Sequence, residues 1–324
     1  MRAIRAVRAG DPSVMQMEDI SKPKAGAGEA VVRVHVAGVN FADVYMRSGS
    51  ARVPNPFPIT LGLEGAGVVD AVGDGVTEVK AGDRVAYATR GAGSYAEYDA
   101  VKVGHIAPLP NEITFEQGAA AILQGMTAHY LLHEYYPVKR GSTVLVHAAA
   151  GGMGLILIQW LKHLGAVAVG TVSTDAKAKI ARGAGADHVI NYTTQDFVEE
   201  AKKITGGKGV DYIIDGVGKT TFTKNLEALR DRGWATIFGM ASGPAEPVVP
   251  NSLMMKALTI SGGSLFNFMV TREEMLGRAR DLFAGLREGW LKLHVDRELP
   301  LAEAAEAHRL LESRQTTGKI ILTV

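Results

Sequence analysis

The chain has 324 residues, 35 Lys and Arg against 34 Asp and Glu for a formal charge of +1, and no cysteine. That length can bury two cores, and the balanced charge removes the electrostatic footprint expected of a nucleic-acid or anionic-membrane binder. The absence of cysteine excludes disulfides, thiolate zinc sites and cysteine nucleophiles together. Met1 to Arg5 open without the long apolar core of a signal peptide, so a cytoplasmic protein with small neutral partners is expected.

Residues 1 to about 120 show short alternating runs, such as Val32, Val34 and Val36, punctuated by turn signals at Gly73-Asp74-Gly75 and Ala81-Gly82-Asp83. They predict a β-rich domain without long helices. Phe115 to His133 reads as a helix with Asn111 and Thr114 as candidate caps, and a domain boundary is expected inside it. Thr143 to His147 reads as a buried strand, Met153 onward as a helix, and Ala149 to Gly154 as the tight turn between them. From Gly141 to Leu161 there is no Asp, Glu, Lys or Arg, which is long enough for a membrane span of ~20 residues, but the glycine cluster would break such a helix.

Strand and helix then alternate: Ala166 to Thr171, Asp175 to Arg182, His188 to Ile190, Asp196 to Ile204, Val210 to Asp215, Lys219 to Leu229 and Ala235 to Phe238. This is the pattern of a doubly wound parallel sheet. Ala257 to Ser264 adds a last strand, Arg272 to Glu288 and Leu301 to Ser313 read as helices, and Lys319 to Val324 is a closing strand expected to return to the first domain. The expected division is therefore 1–122, 123–264 and 265–324, the last part rejoining the first.

Ala149-Ala150-Gly151-Gly152-Met153-Gly154 fits G-x-G-x-x-G with alanine first, a turn that lets backbone N–H groups and a helix end approach a pyrophosphate. About 20 residues on, where an acid would hold a free ribose hydroxyl, stand Thr171-Val172-Ser173. Asp175, slightly further on, is weighed as that acid, with the start of the next helix favoured, and Lys177 reads as either a 2′-phosphate ligand or a solvated helix lysine. His129 and His133 have the i, i+4 spacing of a metal pair, but no third ligand is visible and H-E-x-x-H is absent, so ordinary helix histidines are the better account. Asp43 and Glu64 are weighed as an acid/base pair, with structural roles favoured.

These residues together resemble the quinone oxidoreductases of the zeta-crystallin type, within the medium-chain dehydrogenase/reductase superfamily, over residues 1 to 324. The resemblance rests on the segment Gly38-Val39-Asn40-Phe41-Ala42-Asp43-Val44-Tyr45-Met46-Arg47-Ser48-Gly49 and on Leu145, Ala149 to Gly152, Gly154, Gln159 and Lys162 of the family's central signature, from which Ser142 departs. It implies an α/β protein with a GroES-like β-rich catalytic domain and a Rossmann domain, NADPH in the cleft between them, and reduction of a quinone or electron-poor enone. Asn40, Phe41 and Tyr45 are implied near the nicotinamide, with Asn40 and Tyr45 as catalytic candidates and Gln124 and Thr127 at the domain seam. Gly151, Gly152 and Met153 would face the pyrophosphate, and Ser173, Lys177 and Tyr192 the 2′-phosphate. Gly216, Val217, Phe238, Gly239, Met240, Ala241, Ser242, Gly263, Ser264, Leu265 and Arg314 complete the implied cofactor contacts.

Zinc alcohol dehydrogenases of the superfamily carry ligands where this chain has Asn40 and Leu63, so no zinc is implied and an easily reduced acceptor is favoured over an alcohol. Two departures bear on the substrate: the family often continues Leu-Tyr where Ser50-Ala51-Arg52 stand, and often has Lys where Gln124 stands. The alternatives are an enoyl or alkenal C=C reductase, or a crystallin-like structural or RNA-binding protein. A homodimer through the Rossmann sheet edge is expected, with Leu253 to Leu265 supplying an apolar edge strand.

Overall fold

The computed structural model describes residues 1–50, 56–91 and 93–324; Ala51 and Arg52, part of one departure noted above, lie outside them. It divides into two units, Met1–Met126 with Phe268–Glu288 and Leu293–Val324, and Thr127–Asn267 with Gly289–Lys292. In chain order the first unit supplies β1 (Arg2–Ala6), β2 (Met15–Asp19), β3 (Glu29–Val39), α1 (Phe41–Ser48), β4 (Ile59–Thr60), β5 (Glu64–Val72), β6 (Arg84–Ala88), β7 (Tyr98–Lys102) and β8 (Ile106–Pro108). The helix α2 (Phe115–Tyr130) contains the boundary.

The second unit supplies β9 (Thr143–Val146), α3 (Gly152–His163), β10 (Val167–Val172), α4 (Asp175–Gly183), β11 (His188–Asn191), α5 (Phe197–Ile204), β12 (Val210–Asp215), α6 (Phe222–Ala228), β13 (Leu229–Ile237) and β14 (Thr259–Gly262). The chain ends in the first unit with α7 (Arg272–Glu288), β15 (Val295–Pro300), α8 (Ala304–Glu312) and β16 (Lys319–Thr323).

In the first unit a seven-stranded sheet runs β15-β16-β3-β5-β6-β8, with β7 also paired to β3, and a small sheet runs β2-β1-β4. The valines of β3 suit a pleated, buried surface, and Val32, Val34 and Val39 pack with Val69, Val85, Tyr87 and Ile106 in one core. Because β16 pairs antiparallel with β3, Ile320 and Leu322 from the chain's end join that core.

In the second unit six parallel strands run β11-β10-β9-β12-β13-β14. The order reverses beside β9, so the ends of β9 and β12 diverge there, the usual place for a ligand in a doubly wound sheet. The uncharged stretch seen in the sequence is β9 and α3, whose Leu155, Ile156, Leu157, Ile158, Trp160 and Leu161 are all buried, as a helix apolar on every side should be. Among the described residues no helix is long and apolar enough to cross a membrane.

Three elements differ from the sequence reading. Asn40 follows β3 and is the N-cap of α1, an eight-residue helix that the alternating pattern of this region concealed. Only Thr259–Gly262 of the expected apolar strand Leu253 to Leu265 is extended; Pro250–Lys256 is a 3₁₀ turn opened by proline. The short segment Gly289–Lys292 belongs with the second unit, because the Lys292 backbone exchanges two hydrogen bonds with Gln159 and Trp290 stacks on His163.

α1 and α8 are joined by Arg47, whose buried guanidinium makes a two-point contact with Glu312 at 2.8 and 2.9 Å, bonds His308 Nδ1 at 3.2 Å and donates to Gly10 O at 3.1 Å. A planar fork fits a carboxylate in this way and a lysine would not. Arg47→Met should lower the unfolding free energy in urea by about 2 to 4 kcal/mol. A loss within about 0.5 kcal/mol would show that the two helices are held by apolar packing alone.

Candidate active site

In the first unit the expected residue Asn40 stands at the junction of β3 and α1 with its backbone N–H donating to Asp43 Oδ2 at 2.8 Å. That bond leaves the Asn40 side chain for other partners. Its Nδ2 donates to Glu64 Oε1 at 2.6 Å, and its Oδ1 accepts from Lys319 Nζ at 2.8 Å and from Gln124 Nε2 at 3.2 Å. Lys319 also pairs with Glu64 Oε1, and Glu64 Oε2 accepts the Leu123 backbone N–H at 2.8 Å. Glu64 and Lys319 are both buried, so each ion is compensated by the other and by hydrogen bonds rather than by water.

Phe41 and Tyr45 lie on α1, both half-buried, with ring centroids 6.3 Å apart. Asp43, on the same helix, is fully buried beside a hydrogen-bonded series: Tyr95 O–H donates to its Oδ2 at 3.3 Å, the Tyr95 oxygen lies 3.2 Å from His308 Nε2, and His308 Nδ1 faces Arg47. Arginine only donates, so His308 Nδ1 accepts and the proton sits on Nε2, directed at Tyr95. Burial and the Arg47 charge push the His308 pKa down to about 3. Burial pushes Asp43 up to about 7 against the lowering effects of the Asn40 N–H, Lys319 and Tyr95, with Glu64 adding to the rise. Asp43 and Glu64 thus do not act as a hydrogen-bonded pair: each has its own partners.

In the second unit β9 leads into the glycine turn, where Ala148 takes φ 52° and Gly151 caps α3 without a side-chain bond and with no acid in the first turn. The first N–H groups of the helix, on Gly152 and Met153, therefore point at a position suited to an anion. A Cβ on Gly154 would stand 2.6 Å from Ala149 Cα, so only glycine lets helix and turn approach this closely.

Under the turn lies a buried network that the sequence reading did not find. Asp215, at the end of β12, accepts from the N–H groups of Val217 and Gly218, from Thr221 Oγ1 and from Asn225 Nδ2 at 2.7 to 3.0 Å. With Nδ2 so committed, Asn225 presents Oδ1 to His147 Nε2 at 2.7 Å, so Nε2 carries a proton and donates it, and His147 Nδ1 lies 2.9 Å from Thr171 Oγ1. These contacts fix the ends of β9, β10 and β12 together. The available signal was a polar residue closing each of three apolar strands: His147, Thr171 and Asp215.

The loop after β12 is joined to the loop after β13: Ala241 N–H donates to Gly216 O at 3.1 Å and Ser242 N–H to Val217 O at 2.8 Å. Gly216 packs flat on Phe238, where a Cβ would approach the ring to 2.7 Å. Gly239 and Met240 complete that loop, Gly243 N–H returning to Met240 O at 2.8 Å. Gly263, Ser264 and Leu265 follow β14, with Tyr130 O–H on Gly263 O at 3.4 Å and Asn267 Oδ1 accepting from Ser264 N–H. Thr127 is buried on α2.

Ser173 and Tyr192 directly follow the paired strands β10 and β11: Tyr192 N–H donates to Val172 O at 3.0 Å, and Thr193 Oγ1 to Ser173 O at 3.4 Å. Thr174 caps α4 by accepting the Lys177 N–H at 3.2 Å, and Asp175 Oδ1 accepts from Asn191 Nδ2 at 3.1 Å. Arg314 is in the other unit, just past α8, exposed and with φ 57°. His129 and His133 pack on one another and on Trp160, and among the described residues no three His, Asp or Glu converge as metal ligands.

The raised Asp43 pKa has a sign that can be measured. The unfolded carboxyl ionises near 3.8 and the folded one near 7, so the native state binds the proton more tightly and its stability is lost as pH rises through that window. Asp43→Asn removes that ionisation. Between pH 5 and 7.5 the fall in urea-unfolding free energy should be shallower in the variant by about 2 to 3 kcal/mol; parallel curves would mean that the carboxyl titrates as an ordinary one.

Residues 26–111 match the family model "Alcohol dehydrogenase GroES-like domain" and residues 152–281 match "Zinc-binding dehydrogenase". The chain is 42% identical over 316 residues to quinone oxidoreductase 1 of Escherichia coli K12, covering 97% of this chain and 96% of that one. It is 41% identical over 324 residues to 2-haloacrylate reductase of a Burkholderia species, with the same coverages. The solved structure of Escherichia coli quinone oxidoreductase complexed with NADPH superposes with a TM-score of 0.97 at 41% identity, covering all of both chains. Full-length likeness at this identity settles the family: the chain belongs to the zeta-crystallin-like quinone oxidoreductases of the medium-chain dehydrogenase/reductase superfamily.

Proposed function

We propose that the chain reduces quinones with NADPH by hydride transfer that uses no metal ion. The observation that carries the reading is the cation of the first unit's network: the Lys319 ammonium is already seated on Asn40 Oδ1 and Glu64, while Asn40 and Leu63 stand where zinc relatives have ligands. Relatives named for quinone reduction, one of them solved with NADPH, support the acceptor and the cofactor.

The residues fit that cofactor. The N–H groups of Gly152 and Met153 at the uncapped end of α3 suit a pyrophosphate, while that of Gly151 is held by Ala148 O at 2.9 Å, and the loops around Gly216, Phe238 and Gly263 offer backbone groups for the rest. NADPH, when bound, supplies the hydride. Phe41 and Tyr45 offer ring faces to the reacting groups, and the Tyr45 hydroxyl or water delivers the final proton. Asn40 has both ends of its amide committed to protein partners, so its part is to hold this surface in shape rather than to exchange a proton. Position and orientation supply most of the rate, as suits an acceptor that is reduced without help from a Lewis acid.

One observation favours a second reading: the 2-haloacrylate reductase relative is named for an activated C=C substrate. NADPH oxidation with 1,4-naphthoquinone and with 2-chloroacrylate separates the two. A higher kcat/KM for the quinone is expected, and the reverse order would install the C=C reading.

The 2′-phosphate preference rests on Ser173, Lys177 and Tyr192, with the nearby Asp175 Oδ1 engaged by Asn191. A charge-assisted hydrogen bond is worth roughly 1.5 to 3 kcal/mol, so Lys177→Ala should weaken NADPH binding by about one to two powers of ten and leave NADH nearly unchanged. Equal losses for both would reduce Lys177 to a helix residue.

A homodimer is proposed through β14, the last strand of its sheet, where Ile260 is exposed, with Val249, Met254 and Met255 exposed just before it in the chain. Ile260→Lys should convert a dimer to a monomer in light scattering at micromolar concentration, and a wild-type monomer there would end the idea.

A further inference from the structure

The Gln124 amide ends a series of groups whose direction is set by charge. Glu64 is a carboxylate and only accepts, so Asn40 must turn Nδ2 to it; Lys319 only donates, so Asn40 must give it Oδ1. With Asn40 held this way, Gln124 can meet Asn40 Oδ1 only with its own Nε2, as it does at 3.2 Å. The flipped amide would set two oxygens against each other. What is left over is Gln124 Oε1, buried and without a hydrogen-bond partner among the described residues. Buried acceptors in native proteins are seldom left so, and one that is locked in direction calls for a donor from outside the chain.

We propose that Gln124 Oε1 accepts a hydrogen bond from an N–H or O–H group of the bound ligand and makes Gln124 a specificity-determining residue. The inference rests on the reading of this network as adjoining the reacting groups. Two ligand groups carry such a donor, the carboxamide of the dihydronicotinamide and a hydroxyl on the acceptor molecule. The lysine common at this position in the family presents only donors, which suit a quinone carbonyl. Gln124, with Nε2 turned inward to Asn40 and Oε1 turned away from it, presents an acceptor, so a ligand that offers a donor here is selected.

Two variants separate the roles of the side chain. Gln124→Met keeps the size and removes both polar atoms; Gln124→Lys keeps a donor for Asn40 and removes only the acceptor. Dissociation constants are measured for NADPH and for its reduced 3-acetylpyridine analogue, which has an acetyl group and no carboxamide N–H. kcat/KM is measured for 2-methyl-1,4-naphthoquinone and for its 2-hydroxymethyl counterpart. Wild type should favour the donor-bearing member of one pair by about five- to tenfold, and both variants should lose that preference. Loss in the cofactor pair identifies the carboxamide as the donor, and loss in the quinone pair identifies the acceptor's hydroxyl. The proposal is overturned if wild type shows no preference in either pair, or if its preference survives in either folded variant. A wild type that oxidises NADPH with neither quinone overturns the functional reading instead, and this inference with it.

Discussion

A carboxylate and an ammonium buried together constrain the first unit more than any apolar contact in it. Glu64 is fully buried and the Lys319 side chain is 4% exposed, and removing either ion from water alone would cost several kcal/mol. The cost is met by their attraction and by the Asn40 amide and the Leu123 N–H, so four segments have to be in place at once: the start of β5, the β3–α1 junction, α2 and β16. Pairing of β16 with β3 brings Lys319 there, which makes the last strand of the chain part of this network. Because one end of the network only accepts and the other only donates, it holds a direction as well as a shape, and that direction passes through Asn40 to Gln124.

The second unit meets a similar demand without an ion pair. Asp215 is satisfied by two backbone N–H groups, a hydroxyl and an amide, and through Asn225 it orders His147, which in turn meets the Thr171 hydroxyl. The polar ends of three strands are thereby fixed near the glycine turn. A turn built of glycine and alanine needs such support, since these residues have no polar side chains of their own to hold it.

The description of one matched family model as zinc-binding belongs to the model. In this chain Leu63 is in the apolar core and Asn40 is bound to Lys319, Glu64 and Gln124. A charged side chain thus stands against Asn40 and Glu64, and the proposed chemistry relies on an acceptor that requires no Lewis acid.

By itself the sequence determined the parts whose pattern is local. Alternation of strand and helix from Thr143 onward, the glycine turn and the missing acid after Val172 can all be read along the chain, because period, turn chemistry and charge act between near neighbours. The helix Phe41–Ser48 escaped that reading, being short and set among strands. Tertiary structure alone decided which polar residues meet. Asp43 and Glu64 looked like a pair, yet Asp43 bonds Tyr95 and the Asn40 N–H, while Glu64 takes Lys319 from 255 residues away. Lys319, the one charge in an otherwise apolar closing strand, gave no hint of its partner. Strand pairing sets such meetings, and the register that brings Ile320 opposite Val39 is fixed by a core assembled from both ends of the chain.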